Sequence, residues 1–482
     1  MDGKNLSENV SENEKQEISI QYTLSYSIYS NFEAVSSLIE SGEGKILLQK
    51  ESLTISGEKL EPLLVTYRNI VEIDAQNYRI DLILYTNEKI SLYDLGYNYE
   101  NFFRDLSRLR NEITIKDLLM KENLIKSGVE AEFVYTDKNS INIANGACEL
   151  RIYETALVVI PIMGGIIRIP FGEVFSVEDV DYRLNINTDY DEKFIFSMLG
   201  KQFDPFKSDL SNALEKLLIQ TQAFLKELIP DESPIVLRQA AQLFKDGRAV
   251  KKSSIDAISK NIWEKLELKL GNAGATESYN FLKSLSSKDK ICIGLKRGLM
   301  GDLTGQYFWF LIPIYSINSS EPGNAVAMEA FTISETAVND EAVSPIGNAD
   351  DDSEDKESLE GSAGKATYIF RFIDRTAYKN FKNMDDLDSE YDTFIKKINR
   401  CMISINFRRE PIYLSETKLS DEKYISYRYA IKKIPDLKEL RKLFIGRIIH
   451  ASKDTWEEDL KNLLSFNVST TDNNKNDVII TN

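Results

Sequence analysis

The chain has 482 residues, a length that accommodates about three domains. Of these residues 42% are hydrophobic and 28% charged, a composition typical of a globular protein. Its net charge of −17 disfavours a broad nucleic-acid footprint and general adsorption to anionic membranes, since both need a basic face. Three scattered cysteines and a single histidine disfavour a disulfide framework and a zinc site, so a reducing compartment and no cofactor or metal are expected.

The amino-terminal segment, residues 1–16, is polar and acidic. It has neither the basic nor the apolar stretch of a secretory signal, and no run of about 18 apolar residues occurs anywhere in the chain. We therefore predict a disordered leader over residues 1–16 and a cytoplasmic location.

An internal repeat follows at an offset of 104 residues. Residues 61–109 align with residues 165–213 without a gap and share 10 identities in 49 positions, where chance gives roughly 3. Most other aligned pairs keep apolar character. The sequence therefore predicts two copies of one domain, over residues 17–126 and 127–229.

Each copy begins as short alternating strands and ends as one amphipathic helix. In the first copy we expect Ile80, Leu82, Leu84, Ile90 and Leu92 to face one core. The strands of the first copy are predicted at 17–30, 45–50, 52–56, 63–67, 70–73, 78–85 and 89–93, before a helix over 99–109. Those of the second copy are predicted at 149–153, 156–161, 166–170, 175–177, 182–186 and 194–198, before a helix that begins near Asp204-Pro205.

The remainder is predicted to be a helical connector, residues 230–285, and a third α+β domain, residues 286–465. An acidic low-complexity insertion at 338–365 and a tail at 466–482 are predicted to be disordered. Strands near 404–408 and 424–432 and a long helix over 437–464 complete the third domain. A diverged third copy of the repeated domain is an alternative for this part of the chain.

Each copy resembles the pleckstrin-homology superfold, and more narrowly its GRAM-like and bacterial PH-like branches. The resemblance rests on the order of strands and helix and on the steps Tyr67-Arg68-Asn69-Ile70 and Phe171-Gly172-Glu173-Val174. It implies two tandem antiparallel barrels, each capped by its carboxy-terminal helix. The helix of that family commonly carries a buried tryptophan, and Phe102 and Phe206 are expected in its place.

Candidate sites are few. The glycine-rich segment around Lys296 and Arg297 could cradle a phosphate, although a flexible hairpin loop is favoured because the segment opens no helix. The apolar turn with Ile162 and Met163 could dock a partner or pack on a neighbouring domain. No P-loop or GxGxxG motif occurs, and the lone His450 is predicted to be a surface or groove histidine without a catalytic role.

These patterns favour a non-enzymatic cytoplasmic scaffold or adaptor that binds protein partners through barrel surfaces and by peptide addition to exposed sheet edges. Two alternatives remain at this point. One is a peripheral phospholipid-binding protein of the GRAM type, although the basic residues around the first strands are sparse. The other is an acidic, histone-chaperone-like protein whose segment 350–360 contacts a basic partner.

Overall fold

The computed structural model describes residues 19–30, 37–58, 60–117, 122–271, 275–286, 288–299, 302–314, 324–333, 366–373, 384–450 and 453–468. It divides into two compact units. The first joins Met1–Thr114 with Ile162–Gly165, and the second joins Ile115–Pro161 with Ile166–Asn482. Both helices and strands are abundant, so the protein belongs to the α+β class. Within the described part of the chain, no helix combines the length and the hydropathy needed to cross a membrane.

The first unit contains a curled, seven-stranded antiparallel sheet and one long helix. The strands are β1 (Ile20–Ser30), β2 (Ser37–Leu48), β3 (Ser52–Gly57), β4 (Leu63–Thr66), β5 (Ile70–Gln76), β6 (Arg79–Leu84) and β7 (Lys89–Tyr93). The helix α1 spans Tyr99–Asp117. The strand order is β4-β3-β2-β1-β7-β6-β5, so the first strand pairs with the last.

Alternation of side chains along β6 and β7 places one face of the sheet in the core. All five residues that the sequence assigned to this core are buried, as predicted: Ile80, Leu82, Leu84, Ile90 and Leu92. The helix α1 adds Phe102, Leu106 and Leu109 to the same cluster, and Phe102 is fully buried, as predicted. The helix thus covers the open face of the sheet.

The second repeat has the same plan. Its strands are β8 (Leu124–Thr136), β9 (Asn142–Tyr153), β10 (Ala156–Pro161), β11 (Ile167–Pro170), β12 (Val174–Val180), β13 (Arg183–Thr188) and β14 (Lys193–Ser197). The sheet order is again the same, β11-β10-β9-β8-β14-β13-β12. From β10 onward every strand begins 104 residues after its counterpart, as the sequence repeat requires.

One strand of the second repeat, β8, was missed by the sequence analysis. Its alternation is interrupted by register shifts between Leu124 and Lys126 and between Lys126 and Val129. Exposed Glu130 and Glu132 further dilute its apolar signal. The local pattern is therefore weak, although β8 pairs with both β9 and β14.

The helix α2 (Phe203–Leu228) joins two hydrophobic cores. Its first half contributes Phe206 and Leu210 to the core of the second repeat, and Phe206 is fully buried, as predicted. Its last turns contribute Phe224 and Leu228 to the next core along the chain. A helix of 26 residues spans about 39 Å, which is enough to serve both.

The remainder of the second unit is built around a third antiparallel sheet with sequential strand order. Its strands are β15 (Val250–Lys251), β16 (Cys292–Leu299), β17 (Asp302–Ile314), β18 (Ala325–Ile333), β19 (Ala366–Phe370) and β20 (Phe444–Ile449). The helices are α3 (Pro234–Leu243), α4 (Lys252–Asp256), α5 (Lys260–Leu270), α6 (Thr276–Ser284), α7 (Met384–Ser404), α8 (Glu410–Tyr413), α9 (Glu416–Leu419), α10 (Ile425–Lys433), α11 (Pro435–Leu443) and α12 (Lys453–Val468).

Helices cover both faces of this sheet. The core on one face is formed by the end of α2 together with α3, α5, α6 and α12. The core on the other face is formed by α7, α10 and α11. Burial on both faces explains why Tyr307–Ile314 contains a nearly continuous apolar run. This architecture differs from that of the two repeats, which have seven strands and a single covering helix.

Several predictions for the third domain were wrong. The supposed strand at 424–432 is α10, the one at 404–408 is the end of α7 with a turn, and the supposed helix at 437–464 is α11, β20 and α12. Tyrosine and isoleucine favour strands locally, but those of α10 lie in a helix that packs against the sheet. Tertiary context therefore overrides local propensity. The proposed connector also supplies β15, the edge strand of the sheet.

Three predicted disordered segments lie largely outside the described residues. These are the leader 1–16, the insertion 338–365 and most of the tail 466–482. Residues 466–468 are described, and they complete α12.

The packing around Trp309 leads to a stability prediction. Its indole donates a 2.7 Å hydrogen bond to the carbonyl of Gly247, and a Cβ at Gly294 would overlap the indole and lie 2.7 Å from that same oxygen. We expect Gly294→Ala to lower the free energy of unfolding by about 3 kcal/mol. Urea unfolding followed by tryptophan fluorescence tests this, because Trp263, Trp309 and Trp456 all report on this part of the chain.

The matched control is Gly271→Ala, where an added Cβ meets only the Thr276 hydroxyl, at 3.4 Å. We expect this change to be neutral or slightly stabilising, since alanine favours helical backbone. Equal effects of the two substitutions would contradict the proposed packing.

Candidate functional site

The glycine-rich segment forms strands rather than a long loop. Lys296 and Arg297 lie on β16, with Arg297 opposite Gln306 on β17. The Lys296 ammonium pairs with the carboxylate of Asp246, whose side chain is only 1% exposed, and lies 5.1 Å from the centre of the Phe407 ring. The Arg297 side chain lies outside the described residues. Lys296 is thus held inside the domain rather than presented to a phosphate.

The apolar turn with Ile162 and Met163 is exposed. The two side chains are 46% and 53% accessible. Residues Ile162–Gly165 are grouped with the first unit, where the buried Asn111 amide donates a 3.0 Å hydrogen bond to the Gly164 carbonyl. The backbone of this turn is therefore anchored while its apolar tip remains accessible.

His450 follows β20 and joins a buried polar network. Glu329 on β18 accepts hydrogen bonds from Ser278 Oγ at 2.9 Å and from Thr367 Oγ1 at 2.6 Å, and His450 Nε2 lies 3.2 Å from the same carboxylate. The Trp456 indole donates to Thr367 Oγ1 at 2.9 Å. Thr367 is fully buried, so this network joins the sheet to α6 and α12 and gives a substrate no access to its hydroxyl.

A second polar cluster surrounds Arg400 of α7. Its guanidinium pairs with Glu192 at 2.8 Å and with Glu173 and Asp436 at 3.5 Å each. It also stacks 4.5 Å from the centre of the Tyr190 ring. Glu173, Tyr190 and Glu192 belong to the second repeat, so Arg400 attaches α7 to that repeat within the second unit.

The carboxylates in this cluster outnumber the nearby cation. Burial raises the pKa of Glu173 to about 7; the Glu192 carboxylate adds to the increase and Arg400 opposes it. The second oxygen of Glu173 is buried and has no hydrogen-bond partner among the described residues. In the folded protein Glu173 therefore titrates near neutral pH, and its protonated form predominates only below that pH.

This elevated pKa leads to a prediction on pH dependence. Because Glu173 has a higher pKa folded than unfolded, its contribution to stability is complete below about pH 4.5 and is lost as the pH rises through about 7. We expect Glu173→Gln to flatten the decline in thermal midpoint between pH 5 and 8. At pH 8 the variant should be more stable than the wild type by up to about 3 kcal/mol.

Thermal unfolding at several pH values, followed by tryptophan fluorescence, measures this difference. Glu192→Gln is the control, because its carboxylate accepts from Arg400 with both oxygens, at 2.8 and 3.0 Å, and its loss should destabilise the protein at pH 5 and at pH 8. Parallel pH profiles for the wild type and Glu173→Gln would show that Glu173 is not the titrating group.

An open cleft in the first unit is lined by tyrosines. It has a volume of about 930 Å³ and lies between the end of β1, the turn joining β5 and β6, and the segment after β7. Four tyrosines line it, namely Tyr29, Tyr78, Tyr93 and Tyr97. Its volume lies within the range that is usual for ligand pockets.

Two of the four tyrosines are held in place by neighbours. Tyr78 lies in a tight turn with Asn77, both with positive φ, and its ring packs edge-on against Tyr99 at 5.3 Å. A left-handed backbone is uncommon for tyrosine, and the contact with the first residue of α1 offsets its strain. The Tyr93 hydroxyl lies 3.1 Å from Ser27 Oγ. Tyr78 remains 77% exposed and Tyr97 fully exposed.

The two cations near the cleft share one carboxylate, which offsets about half of their charge. Arg79 Nε lies 2.7 Å from Asp81, and the Lys89 ammonium lies 3.6 Å from the other oxygen of the same carboxylate. Lys89 also lies 4.9 Å from the centre of the Tyr29 ring. The exposed Asp94 stands at the rim. This balance of charge does not suit a multiply charged phosphate.

The second repeat provides an internal control for the cleft. The strand registers place Thr136 where the first copy has Tyr29 and Ser197 where it has Tyr93. The offset of 104 residues places Lys201 at the position of Tyr97. Only Tyr78 has a tyrosine counterpart, Tyr182. The second copy therefore reaches the same strand order with other residues at three of these four positions.

None of these tyrosines was among the residues predicted from sequence. The signal that could have found them is the set of mismatches in the repeat alignment, Tyr93 with Ser197 and Tyr97 with Lys201. Tyr29 lies outside the ungapped match, so its place beside Tyr93 emerges only from strand pairing. Within the described residues, no group of His, Cys, Asp and Glu side chains could hold a metal ion, and all three cysteines are buried.

Comparison of the chain with protein-family models gives no match, and comparison with curated proteins gives none.

Proposed function

We propose that this protein is a non-enzymatic cytoplasmic adaptor that binds a protein partner through tandem PH-like domains. The seven-stranded order with the first strand paired to the last, followed by one covering helix, supports the PH-like assignment for both repeats. We favour a binding role over an enzymatic one. The two buried polar clusters, around Glu329 and Arg400, join structural elements to one another and are accounted for by that role.

The observation that carries this proposal is the tyrosine cleft of the first copy. Tyrosine offers a large, rigid contact area with few rotatable bonds and a polar tip, and it is enriched in protein interfaces and their hot spots. Three of the four tyrosines occur in one copy only. Residues that the second copy replaces at the same strand order, yet that line an accessible cleft together, suit ligand recognition.

Replacing the three tyrosines by the residues of the second copy tests the proposal. We expect the triple variant Tyr29→Thr, Tyr93→Ser, Tyr97→Lys to keep the thermal midpoint of the wild type. It should retain its partner from native lysate at least about tenfold less well, because the loss of hot-spot contacts of about 2 kcal/mol weakens binding by roughly thirtyfold. Quantitative affinity capture with the full chain as bait measures this.

The matched control changes the equivalent positions of the second copy, as Thr136→Ala, Ser197→Ala, Lys201→Ala. It should retain the partner as well as the wild type does. Capture of the same proteins, in the same amounts, by the wild type and the tyrosine variant would refute the cleft as the binding site.

A further inference from the structure

We propose that the tyrosine cleft binds a proline-rich peptide segment in the polyproline II conformation, with a basic residue beside the prolines. This inference rests on the proposed function and names the chemical class of its ligand. Four features of the cleft support it: the position of its strands in the sheet, its hydrogen-bonding groups, the rigidity of its aromatic side chains and the charge at its rim.

The position of the strands excludes binding by strand addition. The cleft is lined from β1, β6 and β7, and each of these has a neighbouring strand on both sides. Their backbone N–H and C=O groups already form the sheet, so an incoming peptide cannot add to them. Recognition at this cleft must therefore use side chains.

The side chains of the cleft suit a peptide whose backbone offers many hydrogen-bond acceptors and few hydrogen-bond donors. Tyrosine hydroxyls, the Asn77 amide and the Arg79 guanidinium can donate hydrogen bonds to carbonyl oxygens. A polyproline II segment has no internal hydrogen bonds, so its carbonyls are free to accept, and its prolines have no N–H that would need an acceptor. The flat proline rings fit the faces of an aromatic-lined groove.

The aromatic side chains are partly preorganised. Tyr78 is fixed by its turn and by Tyr99, and Tyr93 is fixed by Ser27. Binding a ligand that is itself stiff then orders few additional torsions, so a small number of contacts suffices for measurable affinity.

The rim determines the charge of the preferred ligand. Asp94 is exposed at the cleft, whereas the second copy has the neutral Met198 at this position. Asp81 offsets one of the two positive charges of Arg79 and Lys89, and Asp94 is an exposed carboxylate at the edge of the cleft. A lysine or arginine next to the prolines would complement it.

Fluorescence anisotropy with the full chain tests this inference. The probe is a fluorescein-labelled proline-rich peptide with one terminal arginine; the comparison peptides carry serine in place of the prolines or glutamate in place of the arginine. We expect saturable binding of the first peptide, at least about tenfold weaker binding by the triple tyrosine variant, and unchanged binding by the second-copy control variant.

Asp94→Met should weaken binding of the arginine peptide by about threefold to tenfold, while leaving the thermal midpoint unchanged. The same variant should bind the glutamate peptide at least as well as the wild type does. Vesicles containing phosphoinositide form a further arm, in which we expect no tyrosine-dependent binding.

Equal binding of the proline and serine peptides, or equal binding by the wild type and the triple tyrosine variant, would overturn the inference. If the proline peptide fails while capture from lysate still depends on the tyrosines, the ligand class is wrong and the adaptor function stands. If both fail, the cleft is not a binding site. Tyrosine-dependent binding to vesicles would assign the cleft to a lipid instead.

Discussion

Pairing of the first strand with the seventh is the interaction on which each repeat depends. Ser25 pairs with Tyr93 in the first copy, and Glu132 pairs with Ser197 in the second. Without this pairing, a seven-stranded meander would expose two further edges and lose one side of its core. With it, the sheet curls, and one helix suffices to cover the open face. The register also places β1 beside β7, which creates the wall of the cleft.

Duplication preserved this framework and allowed the two copies to acquire different surfaces. The first copy carries the tyrosine cleft. The second carries Glu173 and Tyr190, which contact Arg400. The aligned residues of the first copy are Asn69 and Thr86. The residues that the copies share lie mainly in cores and turns, while those that differ include the residues of the cleft and those that contact Arg400. Each surface was therefore free to change without loss of the fold.

The charged cluster around Arg400 joins α7 to the second repeat at a cost in desolvation. Desolvation of three carboxylates and one guanidinium is unfavourable, and breaking such a cluster leaves a buried charge without its partner. Apolar contacts of α2 join the second repeat to the core on the opposite face of the third sheet, away from α7. The cluster therefore defines how α7 meets the second repeat, and it makes that contact sensitive to protonation.

The number of repeats, most strands of the two seven-stranded sheets, and the core residues of β6, β7 and the covering helices could be predicted from the sequence. These features follow from local periodicity, because alternation and helical spacing are visible within a few residues. The tertiary structure sets the elements of the third domain after residue 400, because strand-favouring residues there pack as a helix and β20 forms by pairing with β19. It alone brought Tyr29, Tyr78 and Tyr93 together. It likewise joined Arg400 to Glu192, 208 residues away, because strand register and domain packing are set by contacts that no local pattern contains.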